Sequence, residues 1–155
     1  DLCCAKYREA TDKRLISIHL QGIKRAMRLK NFNLTLGSQI FKACADESRL
    51  RILFLIYENQ EMCIADLEKI LDFTQAKTSR HLIYLKNAGI LSHRRFNHWV
   101  FYQVKDEVED IIGQIFQFLK KDPQLQKDVQ VYQTLFSNRE LAVNKVQVQQ
   151  WLKSK

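Results

Sequence analysis

Residues 74–89 read TQAKTSRHLIYLKNAG. The stretch has a polar residue at position 74, an amphipathic run, and a glycine at position 89. This pattern predicts a helix from Gln75 to Ala88. Thr74 is suited to cap its first turn, and Gly89 is suited to the left-handed conformation that follows many helices. On a helical wheel the apolar residues gather on one side and the polar residues on the other. We therefore expect one side of this helix to meet a core and the other to face a partner.

The segments on either side of this helix complete a recognisable order of elements. Residues 64–71 have apolar side chains at helical spacing, and residues 72–73 form a tight turn before the next helix. Residues 90–96 and 98–104 are rich in β-branched and aromatic side chains, with Asn97 at the bend, which predicts a β-hairpin. Helix, turn, helix and hairpin in this order predict a mainly α fold with a β-hairpin wing, a winged helix-turn-helix.

Length and composition favour one compact domain with additions. The chain has 155 residues, of which 46% are hydrophobic, and only four Gly and one Pro, as expected for long helices joined by short connections. We expect a basic amino-terminal arm over residues 1–35, either disordered or helical, and a winged helix-turn-helix domain over residues 36–121. The carboxy-terminal helical extension, residues 122–155, has more apolar side chains than a solvated tail needs, which favours a role in dimerisation.

Charge is distributed unevenly along the chain. The net charge is +8, and residues 73–105 contain no acidic residue but six basic ones, namely Lys77, Arg80, Lys86, Arg94, Arg95 and Lys105. A stretch that excludes carboxylates is typical of a surface that faces phosphates. The sequence therefore predicts double-stranded DNA as the partner.

The predicted interface combines one edge of the helix with the tip of the hairpin. Arg80 is suited to a bidentate contact with guanine, and Ile83 to a thymine methyl group, whereas Lys77 is suited to a phosphate. The hairpin would follow the DNA backbone or enter a minor groove. The residues predicted to bind DNA are Gln75, Lys77, Ser79, Arg80, Ile83, Lys86, Arg94, Arg95 and His98.

Four ordered segments of the chain resemble the ArsR/SmtB family of arsenic-responsive repressors. They are FKACADESRLRIL at residues 41–53, EMCIADL at residues 61–67, TSRHL with LKNAGIL between residues 78 and 91, and the pair Arg94-Arg95 followed by WVFY at residues 99–102. The resemblance covers about residues 36 to 120. It implies a homodimer of winged helix-turn-helix subunits that represses a promoter and is released by an inducer. Asn97 stands where the family usually has glycine in the wing turn.

The usual sensor sites of this family are incomplete here. Metal-sensing members have a Cys-x-Cys pair before the reading helix, whereas this chain has Cys63 and then Ala65. The helix after the wing lacks the histidine ligands of the other familiar site, so we expect neither a metal nor a cofactor. Two alternatives remain: a three-thiolate site formed by Cys3, Cys4 and Cys63, or a redox switch at Cys63, which requires an accessible thiol of lowered pKa.

Several classes of protein are disfavoured by the sequence. It has no Gly-rich phosphate loop, nucleophile elbow or carboxylate dyad, so we do not expect an enzyme. It has no apolar run of the roughly 20 residues that a membrane span needs, and we expect a cytoplasmic protein. The leading prediction is a sequence-specific transcriptional regulator, a homodimeric repressor whose effector the sequence does not identify. The alternative from another class is a protein-interaction module built on a winged-helix scaffold.

Overall fold

The computed structural model describes residues 32–146, of which those from Asn33 onward belong to one compact unit. Most of the predicted arm, including Cys3 and Cys4, therefore lies outside the described residues. Along the described part the elements are α1 (Leu34–Cys44), α2 (Glu47–Asn59), β1 (Glu61–Cys63), α3 (Ile64–Leu71), α4 (Gln75–Asn87), β2 (Leu91–Phe96), β3 (Trp99–Val104), α5 (Asp106–Leu119) and α6 (Pro123–Ser137). Residues 142–146 are also helical.

Side-chain caps explain where several helices begin. The Asp46 carboxylate accepts the Arg49 N–H at 2.9 Å at the start of α2, and the Thr74 hydroxyl accepts the Lys77 N–H at 3.3 Å at the start of α4. Each bond satisfies an amide that the helix itself leaves unpaired. At α5 Lys105 occupies the cap position without a side-chain cap bond, and Asp106 is the first helical residue.

The three strands form one antiparallel sheet in the order β1-β3-β2. Phe96 pairs with Trp99 at the end of the hairpin, and Asn97 between them adopts φ +54°, the conformation for which an asparagine at the bend was expected. On the other side of β3, Met62 pairs with Tyr102. The mainly α fold with a β-hairpin wing is confirmed. The sheet contains one short strand, β1, in addition to the two strands of the hairpin.

The core is built around α2, from which five consecutive residues, 52–56, are buried. Leu82 and Leu85 of α4 and Leu125 of α6 enter the same cluster of buried residues. Helix α6 packs against α2 and α3 of its own chain. Apolar residues of the carboxy-terminal extension that we expected to meet a second copy, such as Leu125 and Leu141, are therefore buried within the protomer. The dimerisation role of this extension stays a prediction.

Between residues 32 and 146 the structure has no helix both long and apolar enough to cross a membrane.

Candidate nucleic-acid interface

Helix α4 turns one side into the core and leaves the opposite side open to solvent. Thr78, His81, Leu82 and Leu85 are buried, and Ala76, Arg80, Ile83 and Asn87 are exposed. The second set follows the spacing i, i+4, i+7 and i+11, which is a continuous stripe along a helix. The orientation expected from the sequence is thus the one that the helix adopts.

The nine residues of the predicted interface differ in their exposure. Those exposed to solvent are Gln75, Arg80, Ile83, Lys86, Arg95 and His98, whereas Lys77, Ser79 and Arg94 are half-buried. On the wing, the His98 ring lies 4.5 Å from the Trp99 ring, measured between centroids. The exposed group spans α4 and the hairpin turn, so two separate elements present polar side chains to solvent.

Arg94 is held by an ion pair that the sequence did not suggest. Its Nε and Nη2 donate to the two carboxylate oxygens of Glu61 at 2.7 and 2.5 Å, and its guanidinium lies 5.1 Å from the centroid of the Phe101 ring. Hydrogen bonding to Glu61 raises the pKa of Arg94. The pair joins β1 to β2 across the central strand, so a DNA phosphate would have to compete with Glu61 for this guanidinium.

Tyr84 belongs to the exposed side of α4, and the sequence reasoning missed it. Its side chain is 43% exposed, and the Arg49 guanidinium carbon lies 4.3 Å from its ring centroid. Arg49 is itself fixed, because Nε donates to the Ala43 carbonyl at 2.6 Å and Nη2 to the Lys42 carbonyl at 3.0 Å. The spacing of Tyr84, four residues after Arg80, was a signal that could have placed it on this side.

His81 lies on the core side of α4 although it is polar. Burial lowers its pKa, although the Asp46 carboxylate acts in the opposite direction. A histidine with a lowered pKa is neutral at pH 7, so His81 adds no charge to the neighbouring interface.

The Cys63 thiol lies in a small apolar cluster that includes no residue of α4. It is completely buried beside Phe101, Ala142 and Val146, and burial together with the nearby Asp66 carboxylate raises its pKa to about 12. A redox switch requires an accessible thiol of lowered pKa, and Cys63 has neither property in this structure. Within residues 32–146 no three His, Cys, Asp or Glu side chains are grouped so as to hold a metal ion.

A buried carboxylate fastens the segment that covers Cys63. Asp66, which is 1% exposed, accepts the backbone N–H of Ala142 at 2.6 Å and that of Val143 at 3.2 Å. The Lys69 ammonium adds a bond of 2.9 Å to the Glu140 carbonyl. Residues 140–146 are therefore attached directly to α3, the first helix of the helix-turn-helix.

Comparison with known proteins places this fold in a family. A model described as "Bacterial regulatory protein, arsR family" matches residues 46–93. The cadmium resistance transcriptional regulatory protein CadC of Listeria innocua is 34% identical over 90 residues, which are 57% of this chain and 76% of that protein. The chain belongs to the ArsR family. The resemblance drawn from the four sequence segments is confirmed.

Other similar proteins agree with this assignment. The arsenic resistance transcriptional regulator ArsR1 of Pseudomonas putida is 44% identical over 69 residues, which are 44% of this chain and 54% of that protein. This ArsR-family chain thus spans about half the length of that relative. The structure of HlyU from Vibrio cholerae N16961 superposes with a TM-score of 0.51 and 29% identity, over 57% of this chain and 96% of the other. Both CadC and ArsR1 are named as transcriptional regulators, a class of binding proteins and not of enzymes.

Proposed function

We propose that this ArsR-family protein is a transcriptional repressor that binds an operator in double-stranded DNA through α4. The observation that carries the proposal is the division of α4 into a buried side and an exposed stripe that includes Arg80. A helix in this position of a helix-turn-helix lies in the major groove, with its amino-terminal half nearest the bases. The absence of acidic residues from positions 73–105 supports the same orientation toward phosphates.

Individual side chains then divide into those that read bases and those that bind the backbone. The Arg80 guanidinium donates two hydrogen bonds to a guanine edge, and Ile83 contacts a thymine methyl group. Lys86 reaches a phosphate from the flank of the helix. Arg95 and His98 lie at the wing, where they are placed to follow the backbone beside the groove.

Arg80→Ala is expected to weaken operator binding by about 1 to 3 kcal/mol and to relax base preference, because the bidentate contact with guanine is lost. Lys77→Ala, the matched variant on the same helix, is expected to weaken binding to all sequences alike. Fluorescence anisotropy against upstream DNA and a scrambled duplex, at two salt concentrations, measures both effects. Unchanged sequence preference in Arg80→Ala would show that α4 does not read bases. Weak binding to both duplexes by the unaltered protein would favour the protein-interaction module instead.

We also propose that the repressor is a homodimer, because operators of this fold contain two half-sites about one helical turn apart. Two large apolar side chains are left almost fully exposed, Leu34 of α1 at 89% and Phe118 of α5 at 86%. Burial of such side chains against a second copy is favourable. Light scattering is expected to give twice the 18.4 kDa of one chain. Phe118→Asp is expected to shift the protein toward the monomer, whereas Gln117→Asp, which adds the same charge to the adjacent exposed position, is not.

A further inference from the structure

An ion pair with a buried carboxylate connects α6 to α2, the helix that precedes the helix-turn-helix. The Asp128 carboxylate, 2% exposed, accepts Nε of Arg51 at 2.7 Å and Nη2 at 2.8 Å, and the Gln124 amide adds a bond of 3.0 Å. Both oxygens of Asp128 are thus occupied, and the charge of Arg51 is balanced. Asp128 lies outside the family match of residues 46–93, whereas Arg51 lies within it. This pair is therefore a contact between the matched domain and an additional helix.

The guanidinium of Arg51 lies beside the Phe73 ring, and the Lys77 ammonium contacts the same ring. The Arg51 guanidinium carbon lies 5.2 Å from the centroid of the Phe73 ring, and the Lys77 ammonium lies 3.5 Å from that centroid. Phe73 is in the turn between α3 and α4, and its N–H donates to the Glu68 carbonyl at 3.2 Å. Two cations next to one ring repel each other unless a nearby anion balances one of them. Asp128 supplies that anion.

We propose that Asp128 is a positioning residue that acts through Arg51 to hold Lys77 where it contacts a DNA phosphate. The proposal rests on the proposed DNA-binding function. Lys77 lies in the first turn of α4, and its ammonium contacts the Phe73 ring while keeping N–H groups for a phosphate oxygen. A lysine already restricted by the ring loses less side-chain entropy on binding. When Asp128 is neutralised, the unbalanced Arg51 repels Lys77 from the ring.

The test is the salt dependence of binding by the full chain to an operator duplex. Each lost phosphate contact reduces the slope of log K against log salt concentration by about 0.9. Asp128→Asn is expected to reduce the slope by about this amount per protomer, to leave base preference unchanged, and to match Lys77→Ala. In the double variant Asp128→Asn with Lys77→Ala, no further reduction is expected. A second full reduction in the double variant would overturn the proposal.

Two further variants separate positioning from general destabilisation. Asp122→Ala removes the side-chain cap of α6, which accepts the N–H groups of Gln124 and Leu125, but leaves the Arg51 pair in place. Its salt slope is expected to equal that of the unaltered protein, and a reduced slope would show that Asp128 acts only through the stability of α6. Phe73→Leu keeps an apolar side chain but removes the ring, and it is expected to reduce the salt slope. This variant replaces Asp128→Asn in the test if Asp128→Asn does not fold.

The failure of this proposal is distinguishable from failure of the proposed function. If the unaltered protein prefers the operator and Arg80→Ala loses that preference, the DNA-binding function holds. Unchanged slopes in both Asp128→Asn and Phe73→Leu would then overturn only the positioning role. Binding without sequence preference by the unaltered protein would overturn both.

Discussion

Leu82→Ala is expected to lower the free energy of unfolding by about 2 to 5 kcal/mol, because a leucine with no exposed surface leaves both lost apolar contacts and a cavity. Domains of this size are stable by about 5 to 15 kcal/mol, so the loss is a large part of the total. Urea unfolding followed by circular dichroism measures it. DNA binding should weaken as well, since Leu82 anchors α4 to the core.

The adjacent residue provides the matched control. Ile83 is 51% exposed on the same helix, so Ile83→Ala is expected to change the free energy of unfolding by no more than about 0.5 kcal/mol. This variant should instead reduce the discrimination between operator and scrambled DNA. Equal destabilisation by the two substitutions would contradict the orientation of α4 described above.

Asp66→Ala is expected to lower the free energy of unfolding by about 3 kcal/mol, because it leaves the N–H groups of Ala142 and Val143 without their acceptor. Release of residues 142–146 should also uncover Cys63, so a thiol reagent should modify the variant faster than the unaltered protein. Asp122→Ala, the loss of an exposed cap, is the control, with an expected cost of about 1 kcal/mol and no gain in thiol reactivity. Unchanged thiol reactivity in Asp66→Ala would show that Asp66 does not fasten this segment.

Because Asp66 titrates, the contribution of this contact to the free energy of unfolding depends on pH. Burial raises the pKa of Asp66, with the N–H groups of Ala142 and Val143 acting in the opposite direction. The folded protein thus binds this proton more tightly than the unfolded chain does. The stabilisation that protonated Asp66 provides is fully present below the pKa of the unfolded chain. It is lost as pH rises through the pKa of the folded protein. The difference in unfolding free energy between the unaltered protein and Asp66→Asn should fall as pH rises from the unfolded pKa to the folded pKa of Asp66, and stay constant above it.

The sequence was informative wherever the structure is local. The limits and orientation of α4 follow from a cap at Thr74, the apolar period, and Gly89 at φ +81°. These signals all lie within residues 74–89, so they can be recognised without knowing which distant residues pack against the helix. The same holds for the wing turn at Asn97.

Contacts between distant residues could not be predicted in this way. Glu61 and Arg94 are 33 positions apart, and Arg51 and Asp128 are 77 apart. Periodicity shows which side chains share a face of one element, but not which charges meet across elements. The acid-free stretch therefore made Arg94 resemble a free cation, because its partner Glu61 lies before that stretch. For the same reason the sequence could not show that apolar residues of α6 such as Leu125 pack within the protomer.

The segment fastened by Asp66 also sets a condition for engineering. Ala65 occupies the position of the second cysteine in metal-sensing members, so Ala65→Cys is the obvious first step toward a biosensor for a thiophilic ion. Yet Ala65 packs against the cluster of Cys63, Ala142 and Val146. A new thiol at position 65 would contact apolar side chains, in surroundings that already keep Cys63 in its protonated form. A designer would first have to redesign residues 142–146, and only then the metal ligands.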